Sequence, residues 1–107
     1  MAYTDEDLAF VFNRASGKCI YCGDALIRES YEQPWKPRAW EVDHFIPLAN
    51  GGADQPENWV PACVNCKAFK GGGLPWEFLP GRFKQGERDP QSYLAAKKPG
   101  PENVAGE

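Results

Sequence analysis

The chain has 107 residues, of which 42% are hydrophobic, 13% aromatic and 25% charged. These values are typical of one folded domain and exclude a disordered chain. Its net charge of −3, from 12 basic and 15 acidic residues, argues against a nucleic-acid partner, because nucleic-acid-binding domains normally carry a basic excess. No apolar run approaches the ~20 residues of a membrane span, and the acidic start lacks the pattern of a signal peptide. We therefore expect a cytoplasmic protein with no membrane partner.

The chain is predicted to begin with a helix over residues 4–16. Thr4 is a favourable N-cap, acidic residues follow it in the first turn, and Leu8 and Val11 lie at helical spacing. Gly17 is expected to end this helix.

Short elements are predicted to follow the first helix. Residues 25–31 alternate weakly in polarity, which predicts a short strand, and two prolines make residues 33–38 a stiff loop. A strand is predicted over residues 40–47, a second over 59–61, and a helix over 64–69 that ends at three glycines. The aromatic segment that comes next is expected to pack onto the core.

All four cysteines occur in two Cys-x-x-Cys motifs, Cys19–Cys22 and Cys63–Cys66. Each motif can direct two thiolates at one metal ion, so the pair predicts a closed, structural zinc site that ties the start of the chain to the later helix. Disulfides are the alternative in an oxidising compartment. A redox dithiol is another, although it needs only one motif, in a βαβ context.

The single histidine, His44, directly follows Asp43. A carboxylate can bind a hard divalent cation, and a neutral imidazole can accept a proton from water. Adjacent strand residues normally point to opposite faces, so both serve one site only if the strand bends, as Pro47 and the Gly51-Gly52 pair allow. The alternative is a structural histidine held by hydrogen bonds.

The order of these motifs resembles the HNH endonucleases of the ββα-metal superfamily. The resemblance runs from Cys19 to Gly72 and includes Val-Asp-His-Phe-Ile-Pro-Leu-Ala-Asn-Gly-Gly, Glu-Asn-Trp-Val-Pro-Ala-Cys and both cysteine pairs. It implies a small α+β, zinc-stapled ββα-metal domain with an N-terminal helix and a helical or irregular C-terminal extension. We expect one domain over residues 1–97, with its core at 19–72, and a flexible tail at 98–107.

The resemblance also implies roles for single residues. His44 is the general base that activates water, Asp43 binds the catalytic Mg²⁺ or Mn²⁺, and Asn58 braces the loop and orients the histidine. Without the resemblance, Asn58 is an ordinary turn or cap residue.

Lys67 departs from the family, whose members commonly carry asparagine or histidine at this position. A protonated lysine has no lone pair for a metal ion. Lys67 is therefore expected to contact the scissile phosphate. Two alternatives remain: Asn65 replaces the missing ligand, although a helix places positions 65 and 67 on different faces, or the nuclease is weakened or inactive.

The charge is uneven along the chain. Residues 1–60 carry a net charge of −5 (5 basic, 10 acidic) and residues 61–107 a net charge of +2 (7 basic, 5 acidic). Five basic residues are predicted to contact the DNA backbone: Lys67, Lys70, Arg82, Lys84 and Arg88. A second contact is predicted at Lys36 and Arg38, flanked by Trp35 and Trp40. The alternative is a solvated basic face.

These features predict a metal-dependent HNH endonuclease that hydrolyses DNA with little sequence specificity, since no base-reading helix is evident. The main alternative is a zinc-stabilised DNA- or protein-binding module that keeps the fold without catalysis. A purely structural zinc protein is the third.

Overall fold

A computed structural model describes residues 3–94 of the chain. The predicted tail at 98–107 and the end of the predicted domain, residues 95–97, lie outside the described residues. The helices and strands are α1 (Asp5–Arg14), β1 (Trp40–His44), β2 (Trp59–Cys63), α2 (Val64–Lys70) and α3 (Pro75–Phe78). Short 3₁₀ turns occupy Arg28–Ser30, Leu48–Asn50, Pro56–Asn58 and Pro90–Tyr93. This arrangement is the predicted small α+β domain.

Local capping chemistry starts α1 as the sequence predicts. The Thr4 hydroxyl accepts from the Asp7 N–H at 3.0 Å, and the Asp7 carboxylate accepts from the Thr4 N–H at 3.0 Å. Such a reciprocal capping box satisfies two helix-end donors at once. The helix ends two residues before the predicted limit, because Ser16 and Gly17 adopt the left-handed conformation. No helix among residues 3–94 is long and apolar enough to cross a membrane.

The strands β1 and β2 form a two-stranded antiparallel sheet in which Trp40 faces Cys63 and His44 faces Trp59. The predicted strand over 40–47 is too long by three residues. The strand ends early because of Asn58, whose side chain accepts from the Ile46 N–H and donates to the Ile46 carbonyl, both at 2.9 Å. The chain therefore leaves the sheet directly after His44.

The prediction of a strand over residues 25–31 is wrong. Ala25 forms an isolated bridge with Lys18, and Tyr31 forms another with Trp40. Between them the backbone folds into the turn Arg28–Ser30. The segment pairs with two separate parts of the chain and so forms no continuous strand.

An aromatic core supports the sheet from the side of the C-terminal segment. Tyr21, Phe45 and Phe83 are almost fully buried, and their ring centroids lie 5.6–6.4 Å apart. Phe78 of α3 meets Tyr21 edge to face at 5.7 Å, and Trp76 packs against the same cluster. The predicted packing of this aromatic segment is confirmed.

Candidate active site and metal centre

The four cysteines come together as the sequence predicts. The sulfur atoms of Cys19, Cys22, Cys63 and Cys66 all lie within 4.8 Å of one another. The Cys22 and Cys63 sulfurs are 3.9 Å apart, close to the separation of about 3.8 Å that tetrahedral Zn–S bonds of about 2.3 Å require. The residues present therefore fit a closed, four-thiolate metal site of the kind that binds zinc.

Backbone donors complete each cysteine motif. The Cys22 N–H points at the Cys19 sulfur at 3.5 Å, and the Cys66 N–H points at the Cys63 sulfur at 3.4 Å. Burial raises the pKa of the Cys66 thiol, because a buried thiolate is poorly solvated. A metal ion that binds here must therefore displace protons.

Asp43 is a buried carboxylate surrounded by donors that lie inside the first cysteine motif or follow the second. Its Oδ2 accepts from the Tyr21 hydroxyl and lies 3.1 Å from the Lys70 ammonium, while Oδ1 lies 3.5 Å from the Lys67 ammonium. Tyr21 sits inside the first motif, and the lysines follow the second on α2. Burial and the Asp43 charge raise the pKa of Tyr21 well above its ordinary value. Tyr21 thus stays protonated and donates.

His44 lies at the end of β1 with its ring 24% exposed. Its Nε2 is 2.9 Å from Oδ1 of Asp54, and the Trp59 indole N–H donates to the same oxygen at 3.0 Å. Hydrogen bonds from His44 and Trp59 lower the pKa of Asp54. Sequence reasoning missed Asp54. The available signal was a carboxylate in the loop that returns the chain from His44 to its partner strand.

Asp43 and His44 share one cleft although they are neighbours in a strand. The cleft has a volume of about 170 Å³, and its other lining residues are Pro47, Leu48, Lys67, Lys70 and Gly71. In a continuing strand, neighbouring side chains point to opposite faces. Because β1 ends at His44, this rule does not hold the His44 ring on the face opposite to Asp43. A carboxylate, an imidazole and a partly exposed ammonium therefore border the same space.

Asn58 ties together the loop that follows His44. Besides its two bonds to Ile46, its Nδ2 donates to the Ala53 carbonyl at 2.8 Å. Gly52 makes this closure sterically possible, because a Cβ there would lie 1.8 Å from the Ile46 carbonyl oxygen. The loop is thus closed by one amide side chain and one glycine.

Alanine at Gly52 is expected to destabilise the protein by more than the usual cost of overpacking, which is about 1–3 kcal/mol. Its methyl group would collide with the Ile46 carbonyl and push Ala53 away from Asn58. Urea unfolding checks this expectation. Gly72→Ala is the matched control, because a Cβ at Gly72 meets no atom within 4 Å. Equal free energies of unfolding for the two variants would contradict it.

The structure places the predicted DNA-binding residues in different settings. Lys67 lines the cleft and is 36% exposed, whereas Lys70 is buried and also donates to the His44 carbonyl at 3.2 Å. The guanidinium of Arg82 donates to the Ile20 carbonyl at 3.1 and 3.2 Å, and that of Arg88 donates to the Asn50 carbonyl at 3.1 Å. Lys84 is exposed.

The second predicted DNA contact, at Lys36 and Arg38 with two flanking tryptophans, is only partly exposed to solvent. Trp35 is 75% exposed and Lys36 lies beside it on the surface. Arg38 is exposed and donates to the Ala25 carbonyl at 3.2 Å. Trp40 is fully buried in the core, so Trp35 is the flanking tryptophan that reaches solvent.

Comparisons with known proteins agree with the motif order. The sequence model of the HNH endonuclease family matches residues 19–71, which include both cysteine pairs and the cleft residues. Over 58 residues the chain is 38% identical to the type IV methyl-directed restriction enzyme EcoKMcrA of Escherichia coli (strain K12). That stretch covers 54% of this chain and 20% of the restriction enzyme, so the chain spans about a fifth of its relative's length.

Proposed function

Because the chain belongs to the HNH endonuclease family through residues 19–71, we propose that it is a metal-dependent endonuclease that hydrolyses DNA. One observation carries this proposal: Asp43, His44 and Lys67 border the same cleft. They offer a cation ligand, a proton acceptor and a positive charge, the groups that water attack on a phosphodiester needs.

His44 is the proposed general base. A neutral imidazole accepts a proton efficiently near neutral pH. The ring lies at the cleft surface, where a water molecule and a DNA phosphate can approach it. Asn58 supports this position by closing the loop directly after His44.

Asp43 is the proposed ligand of the catalytic ion through Oδ1. Its Oδ2 is already used by Tyr21 and Lys70, whereas Oδ1 faces only the Lys67 ammonium among the contacts of the described residues. Mg²⁺ in nucleic-acid enzymes commonly takes one or two carboxylates together with phosphate and water, so this donor set fits. When bound, Mg²⁺ or Mn²⁺ polarises the phosphoryl oxygen and stabilises the leaving 3′-oxygen. The four thiolates are proposed to bind zinc.

Lys67 is proposed to bind the scissile phosphate. Its ammonium is partly exposed and only 3.5 Å from Asp43 Oδ1, so it can turn from the carboxylate to a phosphate. Asn65 is a poor substitute ligand, because it lines a different cavity with Lys36 and Arg38. The other exposed residues of the predicted DNA-binding set, Arg82, Lys84 and Arg88, supply backbone contacts.

Asparagine at Lys67 is expected to lower the Mg²⁺ concentration needed for half-maximal cleavage. The change removes a positive charge beside Asp43 Oδ1 and supplies an amide oxygen, while phosphate binding weakens and the apparent KM for DNA rises. Lys18→Asn makes the same charge change at an exposed site outside the cleft and serves as control. If the Mg²⁺ concentration for half-maximal cleavage is unchanged, position 67 does not affect metal binding and this expectation is wrong.

One observation favours a binding module without catalysis as a second candidate. Two ammonium groups and a hydroxyl already surround Asp43, and the positive charge of the two ammonium groups opposes a metal ion. In this case the protein would bind DNA and leave it intact.

Cleavage of supercoiled plasmid distinguishes the two candidates. The zinc-loaded wild type and the zinc-loaded His44→Ala variant are each incubated with Mg²⁺ or Mn²⁺, and DNA binding is measured separately without added Mg²⁺ or Mn²⁺. We expect wild type to nick or cut the plasmid and His44→Ala to lose about 10²–10⁴-fold in rate with binding retained. An uncut plasmid, or equal cleavage by both proteins, would refute the nuclease.

A further inference from the structure

We infer that Asp54 is the positioning residue of His44: it holds the Nε2–H of the imidazole and leaves Nδ1 as the nitrogen that accepts the proton from water. This inference rests on the proposed function. Asp54 itself neither lines the cleft nor belongs to the cysteine cluster, and its contact with the cleft is through His44. It therefore acts on catalysis only through the ring.

The contact between the two residues fixes which ring nitrogen is free. His44 Nε2 and Asp54 Oδ1 are 2.9 Å apart, within the normal range of a hydrogen bond. An ionised carboxylate has no hydrogen to donate, so Nε2 must carry the hydrogen and a neutral ring keeps its lone pair on Nδ1. Hydrogen bonding at one nitrogen sets the role of the other.

Trp59 fixes Asp54 in turn. The indole N–H can only donate, and it reaches the same oxygen, Oδ1, at 3.0 Å. Trp59 stands opposite His44 in the sheet, and the Tyr3 ring packs edge-on against the indole at 4.9 Å. Both donors to Asp54 thus come from paired positions of two strands, which makes their geometry rigid.

The loop that carries Asp54 is also held in place. Asn58 holds the Ala53 carbonyl at 2.8 Å, one residue before Asp54. Asp54 itself is 52% exposed, and hydrogen bonds at such exposed sites contribute little to folding. A solvent-exposed carboxylate that two ring donors hold is better explained by the ring it orients than by stability.

Two substitutions at Asp54 distinguish the effect of its hydrogen-bond acceptor from the effect of its negative charge. Asp54→Asn keeps an oxygen for both donors, because the Trp59 indole needs an acceptor and so selects the amide oxygen. Asp54→Ala removes the acceptor. Glu57→Ala is the matched control, since it removes a nearby exposed carboxylate that does not contact His44. All three variants are expected to unfold at the temperature of wild type.

The kinetic expectation is a loss in kcat with little change in KM for plasmid DNA. Asp54→Ala should lose about 10- to 100-fold, the usual effect of removing a residue that orients a functional histidine. Asp54→Asn should retain more activity, and Glu57→Ala all of it. If Asp54→Ala cleaves at the rate of Glu57→Ala, the inference is wrong.

Nitrogen NMR of the imidazole tests the inference without cleavage. The chain has one histidine, so its two ring nitrogens give unique signals. At a pH where the ring is neutral, wild type, Glu57→Ala and Asp54→Asn should show a protonated Nε2 and a bare Nδ1, and Asp54→Ala a more mixed population. A protonated Nδ1 in wild type would overturn the inference. If wild type fails to cut DNA, the proposed function falls while this spectrum still decides the role of Asp54.

Discussion

Serine in place of Cys66 is expected to leave the chain largely unfolded and without bound metal at room temperature. Structural zinc contributes an apparent free energy of about 10–16 kcal/mol to peptides that fold around it, whereas a whole domain is commonly stable by only about 5–15 kcal/mol. Loss of one of four thiolates should therefore remove most of the stability. Far-UV circular dichroism and metal analysis of the purified variant measure this effect.

Asn65→Ala is the control for this substitution, because it changes an exposed residue of the same motif and keeps all four thiols. It should bind one zinc ion and unfold at the temperature of wild type. A folded Cys66→Ser variant with an unchanged unfolding temperature and no metal would contradict the structural metal site.

The metal site also organises the cleft. Tyr21 lies between Cys19 and Cys22, and Lys67 immediately follows Cys66. These side chains surround Asp43. A chelator that removes the metal should consequently abolish cleavage even when Mg²⁺ is later added in excess.

Alanine at Asp43 is expected to abolish cleavage and to lower the free energy of unfolding by about 3–5 kcal/mol. Removal of one partner from a buried ion pair leaves the other charge uncompensated, and here the Lys70 ammonium, 1% exposed, would lose its carboxylate. The buried Tyr21 hydroxyl loses its acceptor as well. Urea unfolding of the zinc-loaded protein gives the stability, and plasmid cleavage gives the activity.

The double variant Asp43→Ala/Lys70→Met separates these two effects. Methionine matches the lysine in length and removes the buried charge, so much of the stability should return. Activity should stay lost, because the proposed metal ligand is still absent. If Asp43→Ala is as stable as wild type, or if the double variant cleaves DNA, this description of Asp43 is wrong.

Local chemistry made part of the fold predictable. The N-cap at Thr4, the spacing of Cys19 and Cys22, and the short helix after Cys63 depend on neighbours within a few residues, and the structure agrees with them. The length of β1 was not predictable in this way. It depends on the Asn58 side chain, which reaches back twelve positions to Ile46.

The same limit applies to the charged residues. The sequence predicts Lys70 as a contact to the DNA backbone, because nothing near it along the chain indicates that it is buried against the Asp43 carboxylate. The net charge of −3 likewise does not show that the buried Asp43 carboxylate is paired with two lysine ammonium groups. Asp54 was missed because its role depends on the register that places Trp59 opposite His44.

The central claim is that water, activated in the Asp43–His44 cleft, attacks phosphorus and displaces the 3′-oxygen of DNA. A single-turnover reaction in ¹⁸O-labelled water, with mass analysis of the cut ends, tests it most directly. We predict one ¹⁸O atom in the 5′-phosphate of the product, a free 3′-hydroxyl opposite it, and product formation slowed by about 10²–10⁴-fold with His44→Ala. Intact DNA with wild type in Mg²⁺ and Mn²⁺, or product ends that carry no ¹⁸O, would contradict the account.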